Sequence, residues 1–249
     1  MPDSMKVTLT KAEISFLKGL SLKKKREEHG CFLVEGKKMV QEALDSSFEV
    51  AAVYYRDQIG EETMARISQL STPSPALAVV RMPQHLRRTD TPPLPTGLCL
   101  ALDGVRDPGN LGTILRIADW FGIEQIYASD DCVELFNPKT VQATMGAIFR
   151  KSVYYTDLIP LLERCRQADI PLYGTFLDGQ NLYHEDAAPV STGLIVMGNE
   201  HNGISKEVSN LLTKRLLIPP YPAHAHTSES LNVAIATALI CAEFRRRQQ

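Results

Sequence analysis

Beyond Thr96 the chain alternates short apolar runs with helix-like patterns, and this alternation leaves few folds open. Strand-like runs read at 97–102, 125–128, 172–176, 193–197 and 215–218. Apolar residues recur at helical spacing over 111–121, 138–149, 158–168, 206–212 and 230–247. Strands alternating with helices predict an α/β domain with a parallel sheet covered on both faces. Ligands in such sheets bind at the carboxyl ends of the strands. The turns that follow the strands are therefore the places to search for function.

The run TDTPPLPT at 89–96 carries three prolines and suits neither helix nor central strand. It divides the chain into domains at 1–92 and 97–249, joined by this linker. The net charge of −2 hides an asymmetry, because residues up to Thr96 carry +2 and the rest −4. Basic side chains gather at Lys23, Lys24, Lys25 and Arg26, with Lys37 and Lys38 close behind. The run reads either as a solvated helix face or as a phosphate-contacting patch. Five scattered cysteines without C-x-x-C spacing predict neither a disulfide framework nor a zinc site. The first residues lack the apolar core of a signal peptide, and no apolar run approaches membrane-spanning length. The expectation is a cytoplasmic protein with no membrane association and no metal.

Three turns stand out. The first is VRDPGNLG, where Pro108 and Gly109 read as a tight reversal and Asn110 as the cap of the next helix. Arg116 follows six residues later on that helix. The turn lacks G-K-[ST] and G-x-G-x-x-G, so it is no nucleoside-triphosphate loop. The second is VMGNEHNGIS, where a buried strand runs into Gly198, Asn199 and Glu200. Glu200 reads as an acid, a base or an acceptor, or simply as part of a turn. The third starts at Ile218-Pro219, crosses a polar loop at 220–229 and enters an apolar helix at Ser230-Leu231-Asn232. Thr227, Ser228 and Ser230 are candidate helix caps, and His224 and His226 read as loop residues. A helix apolar nearly all round, ending in Arg245-Arg246-Arg247, predicts burial on more than one side, against a partner subunit most economically.

Together, Asn110 and Arg116, Gly198 and Glu200, and Ile218-Pro219 with Ser230-Leu231-Asn232-Val233-Ala234 resemble the three motifs of the SpoU/TrmH family of RNA ribose 2′-O-methyltransferases, in the SPOUT superfamily. The resemblance spans essentially 98–247. The segment from Lys23 to Leu44 resembles the start of the L30e-like RNA-binding domain that precedes the catalytic domain in part of this family.

The resemblance implies a parallel-sheet catalytic domain with a trefoil knot near its C-terminus, preceded by a small α/β L30e-like domain. It implies S-adenosylmethionine as methyl donor, held by Thr175, Leu177, Gly198, Ile218, Pro219 and Leu231. It implies a homodimer, through the knotted domain and the last helix, with Arg116 reaching the partner's site. Arg116, Asn110, Glu200, Ser230 and Asn232 are the expected catalytic residues, and Lys23, Lys24, Lys25, Arg26 and Lys37 the expected RNA contacts. Arginine stays protonated in proteins, so Arg116 is expected to bind phosphate and stabilise developing charge, oriented with the substrate by Glu200 and Asn232. The substrate expected is ribosomal RNA rather than DNA. A tRNA methylase of the same family and a non-catalytic RNA-binding protein are the alternatives.

Overall fold

The computed structural model describes residues 6–86, 88–184, 192–222 and 230–248. Two compact units emerge, Met1–Gln84 with Leu135–Arg150, and His85–Glu134 with Lys151–Gln249. The proline-rich run at 89–96 falls within the second of these units.

The first unit opens with α1 (Lys11–Gly19), whose capping box pairs the Thr10 hydroxyl with the Glu13 N–H and the Glu13 carboxylate with the Thr10 N–H. Helix α2 (Lys23–His29) ends at Gly30 in a left-handed conformation, φ 62°. Then come β1 (Cys31–Glu35), α3 (Lys37–Leu44), β2 (Val50–Tyr55), α4 (Arg56–Ile59), α5 (Glu61–Ile67) and β3 (Ala76–Arg81). The three strands form an antiparallel sheet in the order β1-β3-β2. Leu17, Leu20, Met64, Ile67 and Leu77 fill the core beside it, each wholly buried. Each such side chain contributes about 1.5–3 kcal/mol by leaving water.

Helix α7 (Pro138–Thr144) belongs to this unit and packs on β1. It is shorter than the helix expected over 138–149. Met145 and Gly146 both have positive φ, 50° and 97°, which ends the helix before a short 3-10 turn at Ala147–Phe149.

The second unit is built on β4 (Leu98–Asp103), β5 (Gln125–Ala128), β6 (Ser152–Tyr155), β7 (Leu172–Asn181), β8 (Gly193–Gly198) and β9 (Lys214–Leu217). All neighbouring strands are parallel, in the order β6-β5-β4-β8-β7-β9. Strand β6 adds to the strands expected. The central strands β4 and β8 are buried almost throughout, as a doubly covered parallel sheet requires. The covering helices are α6 (Pro108–Trp120), α8 (Leu158–Gln167), α9 (Lys206–Ser209) and α10 (Val233–Arg246), and α10 packs against α6 and β8. The chain thus leaves β9 at a sheet edge and returns to the middle. Part of that return, 223–229, lies outside the described residues, as do His224, His226, Thr227 and Ser228.

Strands β4 and β8 are neighbours, and from them the order runs outward in opposite senses. Their carboxyl ends therefore frame the crevice in which open α/β sheets bind ligands. All five cysteines are free and buried. Burial pushes the thiols of Cys165 and Cys241 up to about 11 and about 12. Among the described residues no helix is long and apolar enough to cross a membrane.

Candidate active site

The turn after β4 is tied down from two sides. The Gly104 N–H donates to Ser129 Oγ at 2.8 Å, and the Ser129 hydroxyl donates to Asp131 at 2.6 Å. Arg106 pairs with the same Asp131 at 2.9 Å. From the turn after β8, Asn199 Nδ2 donates to the Gly104 carbonyl at 2.6 Å. The Oδ1 of Asn199 accepts from the N–H groups of His201 and Asn202, and Asp103 accepts from the Ser205 N–H at 2.7 Å. The crevice walls are thus stitched to each other through short polar side chains.

Helix α6 starts earlier than its sequence suggests. Asp107, not Asn110, is the cap: its carboxylate accepts from the Asn110 N–H at 2.8 Å, and Pro108 occupies the first turn. Pro108 and Gly109 are helical rather than a reversal. A proline needs no hydrogen-bond partner at that position, so Asp-Pro is a helix start.

Freed from capping, the Asn110 side chain does something else. Its Nδ2 donates to Glu200 Oε1 at 2.9 Å, and its Oδ1 accepts from Asn232 Nδ2 at 2.9 Å. Glu200 also accepts from the N–H groups of Arg106 and Asp107 at 3.3 and 3.2 Å. Asn232 caps α10, accepting from the N–H groups of Ala234 and Ile235. Asn232 takes the cap expected of Thr227, Ser228 or Ser230. One residue from each sequence turn therefore joins a single network. Partial burial works against charge on Glu200. The hydrogen bonds from Asn110 and from the N–H groups of Glu200, Asp107 and Arg106 outweigh it, and its carboxyl ionises below the ordinary glutamate range.

Beside the network lies a cavity of about 540 Å³, lined by the ends of β7, β8 and β9 and the entry to α10. Thr175, Leu177, Gly198, Ile218 and Leu231 all line it, with Glu200, Ser230 and Asn232. Pro219 follows Ile218 but does not line it. Phe176, Met197 and the stretch 201–203 are lining residues that sequence reasoning missed. Gly198 is required here, since a Cβ would lie 2.2 Å from the Gly203 carbonyl carbon. The volume is that of a cofactor pocket.

Arg116 is exposed on α6, and its side chain makes no hydrogen bond or ion pair to a described residue. Glu200 and Asn232 were expected to orient it, but the structure joins them to Asn110 instead. In the first unit Lys23, Lys24 and Lys37 are exposed, and Lys25 is partly so. Lys23 and Lys25 pair with Glu27 and Glu28 at 3.8 and 2.8 Å. Arg26 corrects the expectation of an RNA contact. It is 2% exposed, and its Nη1 donates to the carbonyls of Leu20 and Ser21. Its charge is spent on the α1–α2 connection.

The comparisons with known proteins agree with this geometry. The profile of the SpoU rRNA Methylase family matches residues 97–242. That of the MRM3-like substrate binding domain matches 11–81. The 23S rRNA (guanosine(2553)-2′-O)-methyltransferase RlmP of Bacillus subtilis is 30% identical over 92% of this chain and 94% of its own. A TrmH-family protein from Porphyromonas gingivalis superposes with a TM-score of 0.85 at 39% identity, over 97% of this chain and 100% of its own. The AdoMet-bound rRNA methyltransferase from Sinorhizobium meliloti does so at 0.84 and 28%, over 98% of each chain. The chain belongs to the SpoU rRNA methylase family, whose members are S-adenosylmethionine-dependent RNA methyltransferases.

Proposed function

We propose that this chain methylates a ribose 2′-hydroxyl of ribosomal RNA in the cytoplasm, as a homodimer, with residues 11–81 engaging the RNA. The observation that carries this reading is the Glu200–Asn110–Asn232 network at the rim of the cavity. It unites the three family motifs at the crevice of the sheet.

The cavity fits the methyl donor. Its walls are turns rich in main chain, and Gly198 lets the Gly203 main chain pack directly against the end of β8. Leu177, Ile218 and Leu231 supply apolar contact, and Thr175 a hydroxyl at the rim. S-adenosylmethionine supplies an electrophilic methyl group beside a sulfonium charge. Everything else falls to the chain. Arg116, a fixed cation, binds the phosphate next to the target ribose and stabilises negative charge growing on the 2′-oxygen. Asn110 and Ser230 face the ribose. Glu200 and Asn232 fix Asn110, so the hydroxyl meets a preorganised wall.

Trp120 on α6 is 85% exposed, and Ile235 and Leu239 on α10 are 53% and 37% exposed. This apolar face suits a second copy. Trp120 lies one turn past Arg116, so a second copy that covers Trp120 lies beside Arg116.

The test is to incubate the protein with labelled S-adenosylmethionine and total RNA from a strain lacking its gene, then digest the RNA for 2′-O-methylnucleosides. Label in one rRNA fragment, lost with Arg116→Ala, is the expected result. Label in tRNA overturns the substrate, and no label with no donor binding overturns the activity.

A further inference from the structure

Strand β7 does not run evenly beside β9. Thr175 and Gln180 both face Leu216, so residues 176–179 bulge out of the ladder. The bulge forms part of the cavity wall, because Phe176 and Leu177 line it with Thr175. Gly179 lets it return to register, since a Cβ there would lie 2.6–2.8 Å from the backbone of Leu216. A bulge without ladder hydrogen bonds needs another anchor.

Arg215 on β9 is that anchor. Its guanidinium carbon lies over the Phe176 ring, 3.4 Å from the centroid. One arm donates to Asp178 at 2.6 Å and the other to Ser209 at 3.0 Å. It thus grips the bulge at two of its four residues while standing on the next strand and reaching α9. An arginine alone combines a flat stacking face with a two-armed fork.

We infer that Arg215 is a positioning residue for the methyl donor, holding the Phe176 side of the cavity in its binding shape. This rests on the proposal that the donor occupies the cavity. Arg215 is not among the lining residues and acts through Phe176 and Asp178. Its own contacts are partly exposed, its side chain 42% and that of Asp178 76%, so the expected effect is modest.

The experiment measures S-adenosylmethionine affinity by calorimetry, with kcat and both KM values, for the wild type, Arg215→Ala, Arg215→Lys and Asp178→Asn. For Arg215→Ala the donor Kd and KM should rise roughly five- to tenfold, a cation–π and ion-pair loss combined. The KM for RNA and kcat at saturating donor should stay within about twofold, and the melting temperature should hold. Arg215→Lys should not rescue, because a lysine cannot stack and fork together. Asp178→Asn, on an exposed side chain, should show the same split more weakly. Donor affinity within twofold of wild type in folded Arg215→Ala overturns the inference, as does an equal loss in kcat. A wild type that binds no donor overturns the reading of the cavity itself, and this inference with it.

Discussion

Asn232 Nδ2 donates to Asn110 Oδ1 at 2.9 Å, across 122 positions of sequence. The direction of that bond is forced. Glu200 is a carboxylate and only accepts, so Asn110 must turn its NH₂ toward it and its oxygen away. Asn232 must then present NH₂ to Asn110, leaving its own oxygen for the first N–H groups of α10. One negative charge thereby orients two amides and one helix start. Asn110→Asp should break this more severely than Asn110→Ala, because two carboxylates would meet at hydrogen-bond distance. Leaving polar groups unsatisfied costs about 1–3 kcal/mol, so Asn110→Ala should lose roughly 5- to 150-fold in kcat/KM. A milder loss in Asn110→Asp than in Asn110→Ala counts against the network.

Arg116 is proposed as a charge fork rather than a base. Arg116→Lys keeps the charge and loses the bidentate geometry. Single-turnover assays should show RNA affinity nearly retained and the methylation rate down by roughly 10² or more. Turnover near the wild-type rate would mean that any cation suffices, against the bidentate role.

At Gly198 the constraint is steric. A methyl group there would overlap the main chain at Gly203, which cannot swing aside as a side-chain end can. Gly198→Ala should destabilise the fold by about 1–3 kcal/mol, the cost of an overpacked core. It should also weaken donor binding at least tenfold in the protein that still folds. Calorimetry and thermal melts together read both effects, and a variant that binds donor normally refutes the close approach.

How much of this was legible in the sequence depended on the range of the signal. The apolar runs of β4, β5, β7, β8 and β9 marked strands because parallel strands are buried on both faces. Strand β6, only Ser152–Tyr155, follows a stretch read as one helix to Phe149 and was missed. Asp107-Pro108 carried a helix-start signal that Asn110 obscured. Of the six residues expected to hold the donor, five line the cavity, while Pro219 does not. Partnerships such as Glu200 with Asn110, 90 residues apart, leave no local trace. Arg26 sits among lysines on the same helix, and only its burial tells it apart.

That difference gives a test on the basic segment. Lys24 and Lys37 are exposed, so replacing both with alanine should weaken RNA binding and flatten its salt dependence. Each lost phosphate contact removes about one unit of log–log slope or less. Stability should not change. Arg26→Ala should do the reverse, leaving the carbonyls of Leu20 and Ser21 without their donor and lowering the melting temperature. If Arg26→Ala instead folds normally and binds RNA poorly, the segment works as one patch after all.

Acid offers a last test of the network. Glu200 ionises below the ordinary value of 4.5 when folded. A carboxyl whose folded value is depressed adds stability that is complete above its unfolded value and fades as pH falls through the folded one. Donor affinity and turnover should therefore be unaffected by Glu200 through the neutral range and decline only in acid, as protonation removes an acceptor from Asn110. Glu243, held near about 2 by Arg246 and then by Arg247, titrates lower still in the same sense and anchors the end of α10. Glu200→Gln separates the two. It should lower affinity already at neutral pH, since an amide must present NH₂ either to the Arg106 N–H or to Asn110 and the Asp107 N–H together. It should also remove the contribution of Glu200 to the acid decline. An acid profile of donor binding unchanged in Glu200→Gln would place the titrating group elsewhere.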